Sequence, residues 1–142
     1  MSDPAAVRAW ARMRSLVLEQ HDRRRAVGDA LGLSFVKVKA LYRLAEAPMT
    51  MGELTGWLAT DPPYTTLVVD DLVGRGLAVR EPHPGDRRSR VVTLTPAGCA
   101  AAELALGILE EPPAAMLALP PGELAALDRV LARLTGRGVS GS

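Results

Sequence analysis

Residues 76–98 read GLAVREPHPGDRRSRVVTLTPAG, and this stretch decides the fold that the sequence predicts. Its two ends, residues 76–80 and 90–94, are apolar and partly β-branched, which is typical of short strands. Residues 81–89 between them contain prolines and a glycine, which mark a hairpin loop. Three arginines on or beside this loop make it the most basic stretch in this half of the chain. The sequence therefore predicts a basic β-hairpin.

Four helices are predicted before the hairpin, because apolar residues recur there at spacings of three and four. Each begins at a residue that can cap a helix, and Thr50 with Glu53 forms a capping-box pattern. Asp61 followed by Pro62 is a start signal of the same kind for the fourth helix. The four predicted helices span about residues 4–30, 34–47, 50–58 and 62–74.

Two further helices are predicted after the hairpin, over about residues 95–111 and 121–136. Pro112 and Pro113 separate them, since proline breaks a helix. Two helices that are joined by a turn and followed by a basic hairpin form the outline of a winged helix. We therefore predict a mainly α-helical fold with a small β-wing.

The composition fits one soluble domain with a core of Leu, Val and Ala, because 48% of the 142 residues are hydrophobic and only five are aromatic. The single cysteine, Cys99, excludes an internal disulfide, and with two distant histidines it makes no zinc pattern. We find no catalytic constellation and no cofactor-binding motif, so we expect a protein that is not an enzyme and has no cofactor or metal. Without a membrane-spanning stretch or a secretory signal, we expect a cytoplasmic location and no membrane partner.

Two stretches of the sequence resemble the multiple-antibiotic-resistance regulator (MarR) family. Residues 76–98 are similar to the family's wing, with its Asp-x-Arg core and its Leu-Thr-x-x-Gly exit. Upstream, residues 62–77, PPYTTLVVDDLVGRGL, are similar to the recognition helix that leads into that wing. The likeness covers about residues 4–135, and the outer helices match in length and placement.

This resemblance implies a homodimer that binds double-stranded DNA. The first, fifth and sixth predicted helices of both chains would interlock, which makes residues 4–32 and 96–136 a helical dimerisation region. Residues 34–95 would form the winged helix-turn-helix, and the whole chain, residues 1–142, a single domain. The resemblance also implies that the fourth helix lies in the major groove and that the wing reaches the minor groove.

The predicted DNA contacts lie at the start of the fourth helix and on the wing. The first turns of a recognition helix reach the base edges, where a Thr hydroxyl or a Tyr ring can make contacts. On the wing, the resemblance implies that Asp86 braces Arg88 for the minor groove, while nearby arginines contact phosphates. The predicted DNA-binding residues are Pro63, Tyr64, Thr65, Thr66, Arg75, Asp86, Arg87, Arg88 and Arg90.

Each of these features also has a plainer explanation. Tyr64 and the threonines can simply cap the helix and pack, and the wing can be a solvated charged loop. Leu67 and Asp71 occupy positions where many members of the family carry basic residues. Asp70 and Asp71 add negative charge to the fourth helix, and we expect them to face solvent or to pair with arginines. The expected consequence is modest, salt-sensitive DNA binding.

The resemblance further implies a small lipophilic or phenolic effector, which members of the family bind between their dimerisation and DNA-binding parts. A pocket between the first, second and fifth predicted helices could use Trp10, Met13, Val17 and Leu41. Both tryptophans, Trp10 and Trp57, fit core positions better than ligand contacts.

Taken together, the sequence predicts a homodimeric transcriptional regulator, more specifically a repressor, that binds a pseudo-palindromic operator and responds to an effector. The alternative is a winged-helix protein-interaction module without sequence-specific DNA binding, which Leu67, Asp70 and Asp71 favour.

Overall fold

A computed structural model of the chain describes residues 3–136, which form eight α-helices and one three-stranded antiparallel sheet. The helices are α1 Pro4–Ser15, α2 Arg23–Leu31, α3 Phe35–Leu44, α4 Met51–Leu58, α5 Pro62–Gly74, α6 Pro96–Leu109, α7 Ala114–Leu117 and α8 Pro121–Thr135. The strands are β1 Met49–Thr50, β2 Ala78–His83 and β3 Asp86–Leu94, in the order β1-β3-β2. The predicted fold class, mainly α-helical with a small β-wing, is confirmed.

Side-chain caps begin most of the helices where the sequence predicts them. Thr50 and Glu53 form both hydrogen bonds of the capping box at the start of α4. The side chains of Asp3, Asp61 and Thr95 each accept a hydrogen bond from a backbone N–H in the first turn of α1, α5 and α6. These bonds satisfy donors that a helix start leaves without a partner.

The prediction of one helix over residues 4–30 is wrong. After α1 the chain makes a π-helical segment, Leu16–Gln20, and leaves the helix at His21. The Asp22 carboxylate then accepts a hydrogen bond from the backbone N–H of Arg25 and begins α2. Nε2 of His21 lies 2.7 Å from the carbonyl oxygen of Glu111, and Arg23 forms an ion pair with the Glu111 side chain. The helical sequence pattern continues through this point, but the helix breaks where His21 and Arg23 contact Glu111, which is distant in sequence.

The hairpin is longer and tighter than predicted. Strands β2 and β3 extend through most of residues 81–89, and the turn itself is formed by Pro84 and Gly85. Strand β1 was not predicted, because its two residues are a strand only through pairing with β3, Met49 opposite Val92. This pairing joins the wing to the start of α4.

The hydrophobic core surrounds α3, whose Val38, Ala40, Leu41 and Leu44 are buried. Apolar side chains from α2, α4, α5, α6 and the sheet complete it. Trp57 lies at the edge of this core, where its ring packs edge-on against Tyr42 with 6.0 Å between the ring centroids. The winged-helix elements therefore share one core with α2 and α6.

The chain divides into two compact units at Glu111 and Pro112, and the second unit contains α7 and α8. The predicted single domain, residues 1–142, stays a prediction. Neither α1 in the first unit nor α8 in the second contains a buried residue. Within residues 3–136, no helix is long and apolar enough to cross a membrane.

Candidate nucleic-acid interface

Helix α5 is held by its first turns against α4, as the second helix of a helix-turn-helix. The Asp61 carboxylate accepts a hydrogen bond from the backbone N–H of Tyr64 at 2.8 Å. Oγ1 of Thr55 in α4 lies 2.8 Å from Oγ1 of Thr65 in α5. The start of α5 is thereby fixed in direction, which a helix that reads base edges requires.

Three of the four predicted contact residues at the start of α5 are exposed, and one is not. Pro63 and Thr66 face solvent, and Tyr64 is 41% exposed. The prediction for Thr65 is wrong, because this residue is 0% exposed. Its hydroxyl donates to the carbonyl oxygen of Asp61 at 3.1 Å, so it joins α5 to its own cap and to α4. Thr65 therefore orients the helix and has no surface for a base.

On the wing, all four predicted contact residues are exposed: Asp86, Arg87, Arg88 and Arg90. The expected brace is a different one in this structure. Oδ1 of Asp86 accepts a hydrogen bond from the backbone N–H of Arg88 at 2.9 Å. Among the residues that the structure describes, neither Asp86 nor Arg88 takes part in an ion pair. Asp86 thus orders the backbone of the turn and leaves the Arg88 guanidinium free.

The root of the wing is closed by a close backbone approach between residues 76–77 and the start of α6. The backbone N–H of Thr95 donates to the carbonyl oxygen of Leu77, and its hydroxyl donates to that of Gly76. A Cβ atom added at Gly98 would lie 1.9 Å from the Leu77 carbonyl oxygen. This geometry gives a physical reason for the Leu-Thr-x-x-Gly exit, since only glycine fits there.

The two aspartates of α5 are paired with cations from three neighbouring segments. Asp70 forms an ion pair with Arg80 of β2, with 2.5 Å between the charged atoms. Oδ2 of Asp71 lies 2.8 Å from Nε of Arg75 and 3.1 Å from Nζ of Lys37, which belongs to α3. Hydrogen bonds from Lys37 and then from Arg75 hold the pKa of Asp71 below its ordinary value. The expected pairing with arginines is present, whereas the part played by Lys37 was missed.

The distance in sequence between the partners explains which of these ion pairs could be predicted. Asp71 and Arg75 are four residues apart, where helix side chains meet. Lys37 lies 34 positions away from Asp71 in the chain, and only the packing of α3 against α5 brings them together. Arg75, which we predicted as a phosphate contact, is occupied by this internal pair in the structure.

Three of the four predicted effector-pocket residues lie together. Trp10, Met13 and Val17 line an open hollow of about 300 Å3 on α1 and the π-helical segment, with Arg14 and Leu18. The prediction for Leu41 is wrong, because Leu41 is 0% exposed in the core around α3. The apolar side of α3 and that of α1 therefore do not form one pocket. Within residues 3–136, no group of three His, Cys, Asp or Glu side chains could hold a metal ion.

This arrangement, a helix-turn-helix followed by a hairpin that presents arginines, defines a winged-helix protein. Residues 31–89, from the end of α2 to the wing, match the family model described as "MarR family". The resemblance seen in the sequence is confirmed over residues 31–89, where the chain is similar to the MarR family. No curated protein sequence matches the chain.

Solved structures share the fold along nearly the whole chain. RV1404 from Mycobacterium tuberculosis is 22% identical, with a TM-score of 0.79, and the match covers 99% of this chain and 97% of that one. Apo MarR from E. coli is also 22% identical, with a TM-score of 0.70 and coverage of 94% and 97%. A cysteine-to-serine mutant of E. coli MarR complexed with operator DNA is 25% identical, with a TM-score of 0.60 and coverage of 94% and 99%.

Proposed function

We propose that this protein is a DNA-binding transcriptional regulator that acts as a homodimer, and that it is a repressor. The observation that carries the proposal is the wing, an ordered hairpin that presents three exposed arginines directly after a helix-turn-helix. Arginine side chains are attracted to the narrow, negative minor groove. The solved structure of the E. coli MarR mutant with operator DNA supports the same use of this fold.

In the proposed complex, the start of α5 enters the major groove and the wing reaches the adjacent minor groove. Tyr64 and Thr66 would contact base edges, since a Thr hydroxyl donates or accepts and a Tyr ring packs on a thymine methyl. Arg88 would enter the minor groove, with Arg87 and Arg90 on phosphates. Asp86 would act through the backbone of the turn, because its carboxylate accepts the Arg88 N–H.

The proposed dimer rests on apolar surface that the described part of one chain does not cover. Large apolar side chains are exposed on three helices: Val7 and Trp10 on α1, Leu104 and Leu106 on α6, Val130 and Leu134 on α8. Clusters of such residues on a water-soluble protein mark an interaction surface. A second copy of the chain would cover these side chains. Its wing would bind a second half-site, so the operator would be pseudo-palindromic.

The decisive experiment measures binding of the full chain to the DNA that flanks its own gene. We expect sequence-preferring binding that weakens steeply with salt, and Arg88→Ala should weaken it about tenfold or more. The matched control is Arg25→Ala, which removes an exposed arginine of α2 and should change affinity less than about twofold. Equal loss in both variants, or no sequence preference at low salt, would disprove the proposal.

The effector is part of the proposal. The hollow beside Trp10 is about 300 Å3, the lower end of the range for small-molecule pockets. We propose that a small lipophilic or phenolic compound binds there when a partner subunit closes it, and that binding lowers operator affinity. Titration with such compounds should change Trp10 fluorescence and release DNA at the same concentrations. A fluorescence change that persists in a Trp10→Phe variant would show that Trp57 reports it and that this site is wrong.

One observation favours the alternative, a winged-helix protein-interaction module. Leu67 on α5 is 65% exposed, which is unusual for a helix that faces phosphates and fits an apolar partner. Retention of a protein partner by the full chain, lost in Leu67→Asp and combined with no DNA preference, would support this second function. Sequence-preferring binding that needs Arg88 would exclude it as the main one.

A further inference from the structure

The proposed recognition helix carries no positive charge of its own. Its sequence, PPYTTLVVDDLVG, contains two aspartates and no basic residue. A helix in the major groove lies between two rows of phosphates, so these carboxylates oppose binding. The compensating cations come from neighbours, namely Lys37 of α3, Arg75 just after α5, and Arg80 of β2.

Asp71 holds two of these cations with a single oxygen atom. Its Oδ2 lies 2.8 Å from Nε of Arg75 and 3.1 Å from Nζ of Lys37. Among residues 3–136, Asp70 by contrast pairs with Arg80 alone. Removing the Asp71 charge therefore frees two cations at once, from two different segments beside α5.

The three side chains are accessible enough for phosphate to compete. Side-chain exposure is 27% for Lys37, 43% for Arg75 and 32% for Asp71. Ion pairs at this level of exposure are weak, because water screens them and long side chains lose conformational freedom. A phosphate that offers the same kind of oxygen acceptors can replace the carboxylate at little cost.

We propose that Asp71 is a positioning residue that sets DNA affinity, because it holds Lys37 and Arg75 in an internal pair and away from phosphate. The inference rests on the proposed DNA-binding function and deepens it. In this arrangement the chain contains two phosphate contacts that are masked by its own carboxylate. The result is weaker, more reversible operator binding than the number of basic residues suggests.

The test is a salt titration of operator binding by the full chain and three variants. Asp71→Asn keeps the shape of the side chain and removes its charge. We expect it to bind about tenfold more tightly near 0.1 M salt, and the slope of log K against log salt to steepen by up to about 1.8 per protomer for two added contacts. Asp29→Asn on α2 is the matched control, since it makes the same change in net charge at an exposed residue outside the proposed dimer surface. The third variant combines Asp71→Asn with Lys37→Gln, which should lose roughly half of the added slope.

The outcomes separate this inference from the function on which it rests. Tighter binding with a steeper slope in Asp71→Asn alone supports it. An equal gain in Asp29→Asn, an unchanged slope, or weaker binding with an unchanged melting temperature overturns it. Asp71→Ser repeats the comparison if Asp71→Asn melts lower than the wild type. If the wild-type chain needs Arg88 for binding while neither Asp71 variant binds more tightly, the inference alone fails. If no form prefers any DNA sequence, the proposed function fails with it.

Discussion

Helices α1 and α3 have the same kind of amphipathic sequence and very different surroundings. Apolar residues recur at helical spacing in both, yet α3 buries four residues in the core while α1 buries none. Leu41 on α3 is 0% exposed, and Trp10 on α1 is 61% exposed. Helical periodicity predicts that a helix has an apolar side, but it does not predict what covers that side.

This difference distinguishes the region whose apolar side chains are buried within one chain from the region whose apolar side chains stay exposed. The apolar side chains around α3 are buried by other elements of the same chain. Helices α1 and α8 expose apolar side chains that a second chain would cover, as the proposed dimer requires. Substitutions in the first region should act on folding of the chain, and those in the second on association.

Gly98→Ala should be the most damaging single substitution. The added Cβ would lie 1.9 Å from the Leu77 carbonyl oxygen, which is backbone and can move away only if the root of the wing opens. We expect a loss of about 3 kcal/mol or more in the free energy of unfolding, measured by urea denaturation. Gly107→Ala is the control in the same helix, because no other part of residues 3–136 lies within 4 Å of its Cβ position. It should be neutral or stabilising by up to about 1 kcal/mol.

Leu41→Ala should destabilise the fold by about 2–5 kcal/mol, since it opens a cavity in a fully buried site. The same urea experiment at two protein concentrations tests where the loss lies. If the substitution acts on the core of one chain, the loss in the free energy of unfolding is the same in a monomer and in a dimer. A loss that vanishes at high protein concentration would contradict the assignment of Leu41 to a core that one chain completes.

The features that sequence reasoning predicted well are local ones. The capping box at Thr50 and the caps at Asp61 and Thr95 depend on residues three positions apart, so their pattern is visible in the sequence. The strands of the wing and the order of the helices follow from the same kind of short-range signal. The exposed arginines of the wing could likewise be predicted from the turn that carries them.

The features that were missed depend on packing between distant segments. Thr65 faces α4 because of the angle at which the two helices meet, and no short pattern reports that angle. His21 leaves the helix where it reaches Glu111, and Lys37 reaches Asp71 across the α3–α5 contact. Leu41 was assigned to a pocket because its periodicity is the same in a core and in a cavity. Residue spacing determines which residues share a side of a helix, whereas tertiary packing determines which residues they contact.

Trp10→Asp should weaken dimerisation and leave the fold of the chain intact. A charge placed in an apolar contact should raise the dimer dissociation constant about 30-fold or more, as measured by analytical ultracentrifugation. Leu67→Asp introduces the same charge at a residue of similar exposure on α5. That control should leave the dimer unchanged. Equal weakening by both would mean that α1 is not the specific contact.

The smallest effect is expected from the charge of Glu53 in the capping box. The backbone N–H of Thr50, followed by its side chain, holds the pKa of Glu53 below its ordinary value. The unfolded chain therefore binds more protons than the folded chain near the ordinary Glu pKa of about 4.3. The stabilising contribution of the carboxylate is complete above that pH and is lost as the pH falls through the lower, folded-state pKa.

Glu53→Gln tests this contribution because a neutral amide oxygen can still accept the Thr50 N–H but cannot titrate. The wild type should melt slightly higher than the variant at pH 7, and the two melting temperatures should converge as the pH falls below the ordinary Glu pKa of about 4.3. Asp71 also has a lowered pKa and contributes in the same acid range, but it is present in both proteins and cancels from the difference. Melting curves that stay equally far apart from pH 7 to pH 3 would mean that shape, and not charge, is what Glu53 supplies. In that case the capping box would still stabilise the start of α4, but no part of that contribution would depend on pH.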